Sequence, residues 1–285
     1  MCNQIIHPAR WEDSSISRRG FIATGVAAAI FPVAADAAVS VVETDITFAT
    51  PDGMADAVLL RPSGKGRWPA VLVWTDILGL RPVFRQLGRR LAAQGYVVLV
   101  PNPYYRERRA PVVGERFDFN DTAAFEEILG YRQRLTNLQV ERDARAAIAF
   151  LDAQPATDRS RSAGVQGYCM GGDFAFRTAA GIPNRIAAVG SFHGADLVTD
   201  APDSPHRLIH KTRASFLVAI ARDDDRQEPK SKDDLEAAFK GAKRPAKVDV
   251  YPADHGWCVP GSDEYAVAAA ERAWTELSEL YRTTL

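Results

Sequence analysis

Gly167-Tyr168-Cys169-Met170-Gly171-Gly172 sets a cysteine among small residues, a spacing that can present a sulfur as a nucleophile. Glycines two places before and after Cys169 permit a sharp strand-to-helix turn, where bulkier side chains would strike the adjoining elements. A helix opening just after the sulfur favours the thiolate, the form that attacks carbonyl carbon. The backbone N–H of Met170 would then serve as one oxyanion donor. Such a nucleophile needs a base and a carboxylate, which follow it along the chain in the order acid, then base. Of the 5 histidines, His255 lies after the last strand-like run, in Ala253-Asp254-His255-Gly256-Trp257. Asp223, Asp224 and Asp225 follow the apolar run Phe216 to Ala221, where a carboxylate can hold the imidazole tautomer. A small residue three places before the acid suits this turn. Ala221 fills that place for Asp224, making it the first choice, with Asp225 second. Together Cys169, Asp224 and His255 would cleave an ester or lactone through a thioester.

Those residues must be positioned by a sheet, and the chain supplies its pattern. After residue 39, short β-branched runs alternate with helical stretches, which predicts an α/β fold: a mostly parallel sheet with helices on both faces. Val41 to Phe48 and Ala57 to Arg61 form a leading pair of strands around Thr50-Pro51-Asp52-Gly53. Ala70 to Trp74 is a continuous apolar run, as a strand buried on both faces requires. Phe84 to Gln94 is helical and stopped by Gly95, and Tyr96 to Val100 is the next strand. Residues 104–138 are weakly periodic and predict a loop-helix excursion over the strand ends. Arg142 to Gln154 is an amphipathic helix. A strand around Gly164 to Gly167 leads into a helix from Gly171; Phe216 to Ala221 and Lys247 to Tyr251 are late strands, and Ala266 to Tyr281 closes the chain as a helix.

Composition narrows the partners. Lys+Arg number 35 against 36 Asp+Glu, a formal net charge of -1, so no basic excess draws in nucleic acid or an anionic membrane. The expected partner is a small-molecule ester or lactone, with no cofactor required. Three cysteines without a CxxC pair build no disulfide framework, and Cys258 is expected to be a buried small hydrophobe. The opening of the chain has another character. Ser17-Arg18-Arg19-Gly20-Phe21-Ile22 resembles a twin-arginine export signal, followed by an apolar stretch to Ala35 and a cleavage-like Ala35-Asp36-Ala37. That stretch falls short of the roughly 20 apolar residues a spanning helix needs. Residues 1–38 are therefore expected to be a signal segment read by the twin-arginine machinery, and residues 39–285 one domain. The expected location is periplasmic or extracytoplasmic, with no membrane span after processing.

With these residues placed, the chain resembles the dienelactone hydrolase family, a branch of the α/β-hydrolases with a cysteine nucleophile. The similarity runs from about residue 45 to 280 and is strongest at Gly167 to Gly172. The resemblance implies a carboxylate after the third strand that helps deprotonate the cysteine; in Thr75-Asp76-Ile77-Leu78-Gly79-Leu80 that place falls to Asp76. It also makes the N–H of Ile77 the second oxyanion donor and puts His193, in Ser191-Phe192-His193-Gly194, beside the nucleophile as a substrate-binding residue. The family clamps a substrate carboxylate with arginines, one of them shortly after the base. Here Gly256-Trp257-Cys258-Val259 holds none, leaving Arg81, Arg106, Arg132 and Arg134 as candidates. Rival readings are a metal site using His255, Cys258 and Cys169, a non-catalytic ligand-binding relative, and a thioesterase or other acyl hydrolase.

Overall fold

A computed structural model describes residues 40–114 and 117–285; the expected signal segment lies outside the described residues. The first two strands, β1 (Val41–Thr50) and β2 (Gly53–Pro62), form an antiparallel hairpin across Pro51-Asp52. Gly53 takes φ 139°, a conformation open to glycine without strain, and the Thr50 hydroxyl donates to its carbonyl at 3.0 Å. The interior strands β3 (Ala70–Trp74), β4 (Val97–Pro101) and β5 (Ala163–Tyr168) are buried at every residue. Burial on both faces is what the unbroken apolar runs of β3 and β4 require. Then come β6 (Ile186–Phe192), β7 (Ser215–Ala221) and β8 (Ala246–Tyr251).

The helices are α1 (Pro82–Ala93), α2 (Thr122–Arg134), α3 (Asn137–Asp152), α4 (Met170–Gly181), α5 (Pro205–Leu208), α6 (Arg222–Gln227), α7 (Ser231–Ala242) and α8 (Val267–Thr284). They divide between two apolar layers because side chains alternate along each strand. From β3, Leu72 and Trp74 face the layer of α3 and α4, with Ala144, Ala147, Phe174 and Phe176. Val71 and Val73 face the layer of α1 and α8, with Phe84, Leu91, Trp274 and Leu277.

Sheet order is β1-β2-β4-β3-β5-β6-β7-β8, parallel from β4 to β8. The chain leaves β3 for β4 on one side and returns to β5 on the other. That reversal opens a crevice at the carboxyl ends of β3 and β5, where open α/β sheets place their sites. Register brings Trp74 opposite Gly167, Tyr168 opposite Phe192 and Ala221 opposite Tyr251. The segments leaving those ends carry Asp76, Cys169, His193, Asp224 and His255. No described helix is long and apolar enough to cross a membrane.

Two differences from the sequence-based expectation have clear causes. Helix α3 starts at Asn137 rather than Arg142, because Thr136 and Gln139 form a reciprocal cap: the Gln139 N–H donates to Thr136 Oγ1 at 3.3 Å, and the Thr136 N–H to Gln139 Oε1 at 2.9 Å. The acid segment after β7 is a short helix, α6, rather than a turn.

Candidate active site

Cys169 sits between β5 and α4 with φ 53° and ψ −120°, a conformation costly for a side chain larger than glycine's. Three backbone hydrogen bonds hold it there. Its N–H donates to Phe192 O at 3.1 Å, while its carbonyl accepts from Gly172 N at 2.9 Å and Ala195 N at 3.1 Å. The flanking glycines are sterically obligatory. A Cβ on Gly167 would lie 1.8 Å from the Gly171 carbonyl oxygen, and one on Gly171 would lie 2.5 Å from that of Thr75. Met170 opens α4, so its N–H lies among the first-turn amides that have no carbonyl one turn earlier.

His255 is reached from two directions. Its Nδ1 lies 2.9 and 3.0 Å from the Asp224 carboxylate oxygens, and its backbone N–H donates to Asp223 Oδ1 at 2.8 Å. Nδ1 is engaged by Asp224, and the Cys169 side chain acts electrostatically on the same imidazole. Burial alone would lower the imidazole pKa. The Cys169 sulfur and the Asp224 carboxylate outweigh it and hold His255 well above its ordinary value. Asp224 is thus the aspartate that meets the ring, Asp223 fixes the main chain beneath it, and Asp225 faces a cleft lined also by Gly194, Leu197 and Lys232.

His193 packs against His255. Its ring centroid is 4.6 Å from that of His255 in an edge-to-face contact, and at 1% exposure it meets His255 rather than the open crevice. Burial and the His255 charge push its pKa well below the usual value, so it stays neutral. Asp76 stands at the end of β3, where its Oδ1 accepts the Leu78 N–H at 3.0 Å and Arg81 grips both carboxylate oxygens at 2.5 and 2.7 Å. Ile77 follows, and its carbonyl accepts from the Tyr104 hydroxyl at 2.9 Å. Tyr104, which sequence patterning does not single out, also places that hydroxyl 3.2 Å from Met170 Sδ.

The four arginines separate by their partners. Arg81 is paired with Asp76, Arg106 with Asp52 and Asp143, and Arg134 with Glu107. Arg132 donates to the Leu135 carbonyl at 3.1 Å and lies over the Phe174 ring at 5.5 Å, with no carboxylate partner among the described residues. It acts electrostatically on Tyr104 and on Asp173, whose carboxyl burial raises to about 6. Cys258 lines an apolar cavity with Leu87, Tyr168, Phe192 and Trp274, and burial pushes its thiol well above the usual range. Among the described residues, no group of three His, Cys, Asp or Glu side chains is placed to hold a metal ion.

A side chain on a strained strand-to-helix turn, at the crevice of an eight-stranded, mostly parallel sheet, defines an α/β-hydrolase. The sequence profile of the dienelactone hydrolase family matches residues 55–285, and the chain belongs to that family. The carboxymethylenebutenolidase of Rhodococcus opacus is 27% identical over 230 residues, 78% of this chain and 84% of its own. The dienelactone hydrolase of Anabaena variabilis shares the fold with a TM-score of 0.61 at 20% identity, covering 86% of this chain and 99% of its own. A dienelactone hydrolase-like promiscuous phosphotriesterase from metagenomic libraries gives 0.70 at 23%, covering 86% and 98%. The chain is an ester hydrolase of dienelactone hydrolase type.

Proposed function

We propose that this hydrolase opens a small ester or lactone with Cys169 as nucleophile, His255 as base and Asp224 as the carboxylate that orients it. The observation that carries the reading is the His255 imidazole, whose Nδ1 lies 2.9 Å from the Asp224 carboxylate while the Cys169 sulfur favours its charged form. The Cys169 sulfur attacks the carbonyl carbon, a C–S bond forms, and the carbonyl electrons move onto oxygen between the Ile77 and Met170 N–H groups. Collapse breaks the C–O bond, and the alkoxide or enolate leaves with the proton His255 holds. His255 then takes a proton from water, the hydroxide adds to the thioester, and the carboxylic acid leaves as the thiolate returns. Asp224 keeps Nδ1 protonated throughout.

Removing the sulfur is the direct test. Cys169→Ala should lower kcat/KM on p-nitrophenyl butyrate by about a thousandfold or more, and wild type given a slow ester should gain one acyl mass on the peptide holding Cys169. Unchanged hydrolysis by Cys169→Ala would end the reading.

Arg132 is proposed to meet an anionic group on the substrate, supported by the other three candidates already holding carboxylates. A charge-assisted hydrogen bond contributes about 1.5–3 kcal/mol. Arg132→Met should therefore raise KM for a carboxylated lactone by about 10- to 100-fold and leave a neutral ester nearly unaffected. Equal effects on both substrates would exclude this role. The export reading is also retained as a proposal: Arg18-Arg19 directs the folded hydrolase out of the cytoplasm.

A further inference from the structure

We infer that Tyr104 is a positioning residue for the oxyanion hole, and that Asp76 serves the same loop by shaping it rather than by moving a proton. The inference rests on Cys169 being the nucleophile. The N–H of Ile77 can stabilise an oxyanion if the short loop after β3 holds it in one direction. Three polar groups flanking that N–H are hydrogen-bonded. The Asp76 carbonyl accepts from Gly79 N at 3.0 Å, the Leu78 N–H donates to Asp76 Oδ1 at 3.0 Å, and the Ile77 carbonyl accepts from Tyr104 at 2.9 Å. Arg81 holds both oxygens of Asp76, so the carboxylate is engaged in building the turn.

Tyr104 is suited to the task because it is itself immobile. It is 1% exposed, and its N–H donates to Asn102 Oδ1 at 3.0 Å. Asn102 in turn donates to the Arg108 carbonyl at 2.7 Å and to Asp56 at 3.1 Å. The ring packs against Gly79, where a Cβ would lie 3.4 Å from it, and Gly79 takes φ 73°. Burial raises the phenol well above its usual range, so the hydroxyl keeps its proton and donates. From that anchor one hydroxyl reaches the carbonyl of Ile77 at 2.9 Å and the sulfur of Met170 at 3.2 Å. It thereby links the two residues whose N–H groups would face the oxyanion, one after β3 and one at the start of α4.

The test separates oxyanion stabilisation from thiol reactivity. Tyr104→Phe keeps the ring and removes the hydroxyl. Three quantities are measured on it: kcat/KM for p-nitrophenyl butyrate, the inhibition constant of butyraldehyde, and the alkylation rate of Cys169 by iodoacetamide. Butyraldehyde accepts the thiol across its C=O, forming a C–S bond and an oxygen that occupies the same hole. Alkylation displaces iodide and creates no oxyanion. Full loss of an oxyanion donor costs about 100- to 1,000-fold. Misdirecting one should cost about 10- to 100-fold in kcat/KM, with the aldehyde inhibition constant rising by the same factor and alkylation within about twofold of wild type. Asp76→Asn should share this signature, which also covers the case of a Tyr104→Phe chain that does not fold. If alkylation falls in step with kcat/KM in Asp76→Asn, the carboxylate serves the thiol and the inference fails. It fails equally if Tyr104→Phe leaves the aldehyde affinity unchanged. Full activity in Cys169→Ala would remove the nucleophile itself, and that result is distinct from either.

Discussion

His255 gathers most of the site's electrostatics, and its protonation has a measurable consequence. An unfolded histidine titrates near about 6.5. In the fold, burial opposes the charged form, yet Cys169 and Asp224 raise the imidazole well above that value. A group whose folded pKa is raised stabilises fully below its unfolded pKa and loses that contribution as pH rises through the folded pKa. The thermal midpoint of wild type minus that of His255→Gln should therefore be largest below about pH 6.5 and shrink as pH climbs above it. A difference that grows with pH would show that the imidazole is not charged in the native state. His193, held neutral by burial and by the neighbouring charge, adds no second cation to this window. At this scale Cys169, Asp224 and His255 were legible because motif spacing and chain order specify them. Asp223 was not, since its bond to the His255 N–H exists through the pairing of β7 with β8. Tyr104 was hidden by the weak periodicity of the stretch it opens.

At the scale of elements, the strand-to-helix turn works because β3, β5 and α4 approach closer than side chains allow. A methyl on Gly171 would meet the carbonyl oxygens of Thr75 at 2.5 Å and Trp74 at 2.8 Å, both main-chain atoms with no rotamer to escape into. Overpacking of this kind costs about 1–3 kcal/mol or more. Gly171→Ala should lower stability to urea by at least that amount and lower kcat further, because the displaced loop carries Ile77. Gly241, near the end of α7, meets nothing within 4 Å. Gly241→Ala should stabilise by about 0.5–1 kcal/mol through helix propensity alone. Equal urea midpoints for the two variants would mean that close approach at the turn is not what selects glycine. Strands β3 and β4 were legible because both their faces are buried, so the apolar run is unbroken. Helix α3 was placed late although Thr136 and Gln139 carry a readable cap, and α7 offered Leu235 and Phe239 one turn apart. Helix α6 gives no such signal: Arg222–Gln227 is polar throughout, and none of its residues is buried.

For the molecule as a whole, the candidate site is assembled from strand ends spread across the sheet. The Asp76 loop follows β3, Cys169 follows β5, Asp224 follows β7 and His255 follows β8, and β4 and β5, consecutive in sequence, are separated in the sheet by β3. Distant stretches are also tied together by Arg161, whose Nε donates to the Leu285 carbonyl at 2.6 Å. That the sheet is mostly parallel was legible in alternating strand and helix patterns, whereas the order of strands was not, because periodicity carries no information on which neighbour a strand selects. A candidate site that joins Asp76, Cys169, Asp224 and His255 from distant stretches forms only as the domain folds. A twin-arginine route, which moves folded cargo, suits such a protein, and its signal would be separable from the catalyst. Substituting Lys for both Arg18 and Arg19 should leave the hydrolase in the cytoplasmic fraction with kcat/KM on p-nitrophenyl butyrate unchanged, while wild type is recovered from the periplasmic fraction. Wild type confined to the cytoplasm, or a double variant still exported, would show that these arginines are not an export signal. Loss of catalysis in the double variant would show instead that the opening segment belongs to the working enzyme.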